Sequence, residues 1–452
     1  RNEVLAEALF HRSYWYYRLV HQYGDVPFIG NEIQDAKVDF FSHSRKTILA
    51  KLIEDMQFAV QHLPEAAVPG AITVYAGHYL LAKIYLADSQ FAAAVQSATE
   101  VINGPFALME NRFGSWAGDP TRNVLWDLHR PENIHTPENT ETILAVVDRF
   151  EAPEGARTNG LATMRDYNPA WWNGRVRDSS GGGGTIASGE MYDSLGRGNG
   201  FARPTPYYQY DIWRNDPGDL RRSDANWIEK EELVYNRETS PNFGEPINAD
   251  FFANPIDTFQ HFYSFPHYIS FVPQDDPTAV PLGGNADWYI FRLAGAYLVR
   301  AEAYYWQEDL ANAAADLNVV RRRAEALEVT PGDVTIELIL ADRAKELFAE
   351  APRKTELARM AFIMADNSLN GYSIANFSTN NFYYDHVVAN NIFFEINLLW
   401  GVNPCRILPY HVLWPVPATV INANTLGVIN QNEGYPGSEN NVPPLTSIAT
   451  TF

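Results

Sequence analysis

Aromatic side chains flanked by amide and guanidinium groups recur between residues 167 and 227. Tyr167-Asn-Pro-Ala-Trp-Trp-Asn173 sets Trp171 and Trp172 beside Asn173, with Arg175 just beyond. Tyr207-Tyr-Gln-Tyr-Asp-Ile-Trp-Arg-Asn215 adds Tyr208, Trp213 and Arg214, and Trp227 follows beside Asn226. A sugar ring offers C–H bonds to a flat apolar face, while its hydroxyls need amide, carboxylate or guanidinium partners. The mixture would suit non-covalent carbohydrate recognition, with Trp171, Trp172, Asn173, Tyr208, Trp213, Arg214 and Trp227 as candidate ligand-binding residues. The same rings also suit a core, because a loop-rich layer needs large side chains, each burying about 150–250 Å². Asn380-Asn-Phe-Tyr-Tyr-Asp385 is a second candidate surface with the same two readings, whereas Trp15, Trp306 and Trp414 read as structural.

Catalytic patterns are weaker. Asp216 with Asp219, or Glu229 with Glu231 and Glu232, could suggest a glycosidase, which needs two carboxylates flanking one bond. A chain with 55 carboxylates produces such pairs by chance. The eleven histidines include no His-Glu-x-x-His, and neither His129 with His135 nor His261 with His267 has helical metal-ligand spacing. Gly181–Gly184 lacks the Gly-Lys-Ser/Thr ending of a phosphate loop, and no Gly-x-Ser-x-Gly elbow occurs. Arg321-Arg-Arg323 reads as a solvated helix face or as partners for nearby acids. No catalytic residue, metal ligand or cofactor is expected; a structural calcium held by loop carboxylates stays open.

Composition narrows the partners. A net charge of −21 argues against nucleic acid, whose phosphates need a basic surface, and disfavours an electrostatic hold on anionic lipid. The single Cys405 excludes an intramolecular disulfide and a cysteine-based zinc site. No apolar run reaches the roughly 18 residues of a spanning helix.

The elements that must position the aromatic segment are helices. Three- to four-residue apolar steps predict helices over 3–23, 44–63, 73–88 and 90–103, then over 288–307, 309–327, 334–350 and 354–365. Two of the pairs look like copies: Tyr79–Ala94 aligns with Leu298–Ala313, so that Ala82 meets Ala301, Tyr85 meets Tyr304, Phe91 meets Leu310 and Ala94 meets Ala313. Such units cannot bury their apolar faces alone, so they stack. The expected fold is mainly α: four tetratricopeptide-like hairpins forming a scaffold, with a large loop-rich insert carrying short strands. Residues 1–103 form its first half, 104–288 the insert with a strand at Thr142–Val147, 289–366 the second half, and 367–452 a loop-rich tail wrapping the scaffold. Turn formers crowd the insert, and its many aromatics argue against disorder.

With the elements placed, several segments resemble signatures of the SusD/RagB family. Tyr14-Trp-Tyr-Tyr-Arg-Leu-Val-His-Gln-Tyr-Gly-Asp-Val-Pro27 is similar to its N-terminal signature. Arg300-Ala-Glu-Ala-Tyr304 with Asp316-Leu-Asn-Val-Val-Arg321 resembles the central one, and Asp219-Leu-Arg-Arg222 its short Asp-x-Arg element. Leu413-Trp-Pro-Val-Pro417 with Asn430-Gln-Asn-Glu-Gly-Tyr435 resembles the C-terminal one. Each is weak alone; the ordered set is specific. One departure is Glu350-Ala-Pro-Arg353, where the family often has Glu-Gly-hydrophobic-Arg; Pro352 would end one helix or start the next.

The resemblance implies a non-catalytic outer-membrane lipoprotein on the exterior face of a Bacteroidota cell. It implies capture of oligosaccharides or polysaccharides and delivery to a SusC-like TonB-dependent transporter. The family's lipid-bearing cysteine lies ahead of the first helix, so the only membrane attachment expected is an anchor upstream of Arg1. Two alternatives remain: a peptide-capturing RagB-type member, and a helical-repeat protein-interaction scaffold with no small ligand.

Overall fold

The computed structural model describes residues 1–394, 399–400 and 403–448. Two compact units divide the chain. The first comprises Arg1–Gly104, Ala296–Ala313 and Ala351–Phe452; the second comprises Pro105–Gly295 and Ala314–Glu350. Helices dominate, and among the described residues eight reach eleven residues or more. They are α1 (Asn2–Tyr23), α2 (Arg45–Ala59), α3 (Val74–Ala87), α4 (Phe91–Ile102), α5 (Leu293–Trp306), α6 (Leu310–Arg323), α7 (Ile336–Glu346) and α8 (Arg353–Asp366). A shorter α9 (Phe382–Asn390) follows; other helical turns are named by their residues.

In the first unit α1 packs on α2, α2 on α3, and α3 on α4, while α8 lies against α1 and α3. Leu9, Phe10, Tyr17 and Val20 of α1 bury one face, as do Ile48, Leu49, Leu52 and Met56 of α2, which is the stripe expected of amphipathic helices. The Ser44 and Thr73 hydroxyls accept from the main-chain nitrogens of Thr47 and Ala76, capping α2 and α3. At Gly77 an added Cβ would come within 2.9 Å of Leu63 Cδ1, so glycine lets α3 pack closely there without displacing that side chain.

The internal repeat extends to the turn geometry. After α3, Gln90 N donates to Tyr85 O at 2.8 Å and Ser89 adopts φ 60°; after α5, Asp309 N donates to Tyr304 O at 3.0 Å and Glu308 adopts φ 61°. Left-handed backbone at the equivalent position closes both helices in one way.

The signature segments tie the first unit together. Gly24 ends α1 at φ 68°, where a side chain would meet Leu413 Cδ1 at 2.9 Å. Trp414 N donates to Gln22 O at 2.8 Å, and the Asn432 amide donates to Tyr23 O and Trp414 O. The Asn424 side chain pairs with both main-chain polar groups of Phe40. Glu302 holds Arg359 at 2.6 and 2.7 Å, and Arg359 also reaches Glu356. Trp15 and Trp414 correct the structural reading given to them: they are 62% and 46% exposed. Trp306 is the structural member, stacked on Phe91 with its indole N–H on Glu302.

The second unit carries a two-stranded antiparallel sheet, β1 (Thr142–Val146) with β2 (Trp288–Arg292), pairing Thr142 with Arg292 and Val146 with Trp288. The helix expected from residue 288 therefore begins at Leu293. Trp-Tyr-Ile-Phe-Arg is rich in aromatic and β-branched residues, and β1 supplies a partner that helical periodicity cannot reveal.

A buried charge network crosses this unit. Arg292 at the end of β2 donates to Glu141 at 2.6 Å, to Glu346 at 3.0 Å and to Glu350 at 2.8 and 2.9 Å. Arg323 pairs with Glu141 and Glu346, and Arg221 with Glu346 and, bidentately, with Asp219. A second cluster joins Arg321 to Asp216 and Asp342, and Lys345 to Asp216. Arg321 and Arg323 are thus buried acid partners; only Arg322 has the solvated position, paired with Glu328. The Asp-x-Arg element and the end of the central signature are this unit's ionic core.

His21, His267 and His386 are among the histidines that burial keeps neutral. Burial lowers His21 from the usual 6.5 to about 3, and His267 and His386 to about 4. The unfolded chain therefore takes up these protons first as pH falls. Their contribution to stability is complete above 6.5 and is lost as pH falls through that value toward 4 and 3. Thermal unfolding from pH 8 to 4 should show a midpoint that starts to decline near pH 6.5, before ordinary carboxylates titrate. A midpoint flat down to pH 5 would contradict the assignment.

Candidate functional site

The structure places most of the sequence-nominated aromatics in the core of the second unit. Trp171 is fully buried among Val176, Leu233, Tyr235 and Phe265, with its indole N–H donating to Gly196 O. Trp227, 1% exposed, donates to Arg221 O and packs edge-on against Trp213, whose own N–H reaches Tyr208 O. Tyr208 stacks on Phe348 at 4.8 Å. Trp171, Tyr208, Trp213 and Trp227 are therefore corrected to packing residues: a ring closed on both faces offers no sugar a surface. Adjacent sequence positions could not show this, because burial depends on segments far along the chain.

Three nominated residues stay accessible. Trp172 is half-buried, with its N–H on Gly198 O and the Arg197 guanidinium 4.7 Å over its ring. Asn173 caps its own turn by accepting from Arg175 N. Arg214 is exposed and paired with Asp211. In the first unit, Asn381 caps α9 and ties down Phe377 and Pro409, and Tyr383 lies beneath Lys354, so that second surface is largely internal scaffolding. Three of the nominated acids are occupied: Asp216 and Asp219 by buried cations, and Glu229 by Arg222 and Ser264; Glu231 and Glu232 are exposed.

One accessible concavity of the second unit lies beside the Trp171–Asn173 turn. It is an open depression of about 480 Å³ lined by Ile186, Ser188, Gly189, Glu190, Met191, Asn236, Arg237, Glu238, Thr239 and Phe243, within the size range of small-ligand clefts. Its two walls are locked together. The Asn236 side chain accepts from Ile186 N at 2.8 Å and donates to Ile186 O and Ser188 O. Thr185 Oγ1 donates to Trp171 O, and Arg237 Nη2 donates to Thr185 O.

The wall carrying Phe243 is a tight loop closed by Tyr235 N on Glu245 O and Gly244 N on Tyr235 O. Asp178 braces it. Its carboxylate accepts from Ser180 Oγ at 2.6 Å, Ser240 Oγ at 2.7 Å and the nitrogens of Ser180 and Gly182. The Ser180 hydroxyl, then that of Ser240, hold this carboxyl below the usual aspartate range. Gly184 is required because a Cβ there would lie 2.3 Å from the Tyr235 ring. The glycine run thus serves a close backbone approach. Phe243 remains 54% exposed on this rigid support.

The depression combines an apolar side (Ile186, Met191, Phe243) with a rim of hydroxyl, carboxylate and guanidinium groups. That is the composition the sequence sought in Trp171 and Trp227, supplied by other residues. Phe243 escaped notice because Ser240-Pro-Asn-Phe-Gly-Glu245 reads as a turn. The available signal was an aromatic set among turn formers, Pro241, Asn242, Gly244 and Pro246.

A family profile described as SusD family matches residues 140–435, and another, described as starch-binding associating with outer membrane, matches residues 1–86. SusD-like protein P2 of Formosa agariphila is 35% identical over 108 residues, 23% of this chain and 21% of that protein. SusD-like protein P25 of the same organism is 22% identical over 453 residues, covering 96% of this chain and 73% of that protein. Among solved structures, surface glycan-binding protein A from Bacteroides fluxus shares the fold with a TM-score of 0.62 at 20% identity, covering 96% of this chain and 78% of that one.

Proposed function

The chain belongs to the SusD family, and from that premise we propose that it is a non-catalytic cell-surface protein that captures oligosaccharides. On this reading it works at the outer membrane and hands its ligand to a SusC-like TonB-dependent transporter. The carrying observation is the match of two family profiles along the chain, one of them described as starch-binding and outer-membrane associated. The name of the Bacteroides fluxus relative, a surface glycan-binding protein, points the same way. Within the chain, the depression under Phe243 is a surface whose chemistry suits this reading: a flat ring for C–H stacking and a polar rim for hydroxyls. Trp172, Asn173 and Arg214 are accessible on the same unit and remain candidate contacts.

Affinity electrophoresis and calorimetry against a panel of soluble polysaccharides test the reading. At least one glycan should bind, and Phe243→Ala should weaken it by about 1–2 kcal/mol, a factor of about 5–30, without shifting the unfolding midpoint. Binding to peptides with none to any glycan would overturn the proposal in favour of peptide capture. Co-purification with a barrel transporter from native membranes tests the delivery step.

A further inference from the structure

The charge lining the depression bears on which glycans it could accept. Three of its lining residues are ionic: Glu190 and Glu238 are exposed carboxylates, and Arg237 is a half-buried cation. The Arg237 guanidinium is turned toward the glycine-rich loop: Nη2 donates to Thr185 O at 2.9 Å and lies 3.8 Å from where a Cβ on Gly183 would stand. What the rim presents outward is therefore mainly carboxylate, hydroxyl (Ser188, Thr239) and an aromatic face. The whole chain adds a net charge of −21.

Rim carboxylates suit neutral sugars well, because a sugar hydroxyl donates to them in a charge-assisted hydrogen bond. They suit uronates and sulfate esters badly, because those substituents bring like charge and no donor. The acidic chain opposes the approach of such polyanions from further out, over the roughly 10 Å at which charges are felt in moderate salt. Resting on the capture reading above, we propose that the depression takes an uncharged oligosaccharide and turns away glycans that carry carboxylate or sulfate groups.

The test compares neutral polysaccharides (laminarin, starch, xyloglucan) with acidic ones (alginate, polygalacturonate, carrageenan) by affinity electrophoresis and calorimetry at about 0.01 M and 0.15 M salt. A neutral glycan should bind, and acidic glycans should bind at least tenfold more weakly, with the gap widest at low salt. Glu190→Gln combined with Glu238→Gln should narrow the neutral-to-acidic affinity ratio by tenfold or more. These positions are exposed, so the variant is expected to fold. An acidic glycan bound as tightly as the best neutral one overturns the charge inference while leaving glycan capture standing. An unchanged ratio in the double variant overturns the role of the two carboxylates. Failure of every polysaccharide to bind overturns the capture reading itself.

Discussion

Replacing Glu346 by Gln is expected to destabilise the second unit by about 3–5 kcal/mol, the usual range when one member of a buried ionic cluster is removed. Glu346 accepts from Arg221, Arg292 and Arg323, and all four residues are buried. The amide keeps the shape but leaves three guanidinium groups facing a neutral partner. Urea unfolding followed by tryptophan fluorescence measures the loss; a change under about 1 kcal/mol, typical of exposed pairs, would mean that solvent screens the cluster. The pH sign follows from the same contacts. Although burial opposes it, the arginines hold the Glu346 carboxyl far below the ordinary glutamate value of 4.5. Its contribution is therefore complete above that value and is lost as pH falls below it. The Gln variant should consequently show a flatter acid limb than the parent protein.

The second large effect separates packing from binding. Trp171→Ala should cost about 3–5 kcal/mol, as expected for truncating a fully buried aromatic. The ring is 0% exposed, and its N–H is satisfied by Gly196 O. Trp172→Ala should cost about 1 kcal/mol, chiefly the contact with Arg197, because that ring is only half-buried. Any glycan affinity lost in the Trp171 variant should track the fraction of unfolded protein, whereas Phe243→Ala should lose affinity with the unfolding midpoint retained. If Trp171→Ala abolished binding at an unchanged midpoint, the assignment of Trp171 to the core would be wrong. The pair of variants thus tests whether the neighbouring tryptophans differ as their burial implies.

The eight long helices were legible because each repeats its apolar residues at helical spacing and ends at a recognisable stop, as α1 does at Gly24. The α3–α4 and α5–α6 repeat was legible in its aligned apolar positions, while the shared left-handed backbone at Ser89 and Glu308 emerged only in the structure. The β2 strand was missed because its partner β1 lies far away in sequence, and pairing gives no local signal. Pro352 was placed correctly at the boundary of α8, but the purpose of Glu350, which joins Arg292 and His129, was not visible.

What the sequence determined by itself was therefore the helical scaffold, its internal repeat and, through ordered signatures, the family. These depend on local periodicity and on short segments that act where they stand. Only the tertiary structure decided which aromatic rings face solvent. Trp171, Trp213 and Trp227 looked available because amides and arginines surround them in sequence, yet Leu233, Phe265, Phe348 and Lys345 close over them from elsewhere in the chain. Phe243, which the sequence did not single out, stands half out of the surface on a loop braced by Asp178 and Ser240. Exposure is a property of what packs against a side chain, and in a loop-rich insert those neighbours come from distant segments.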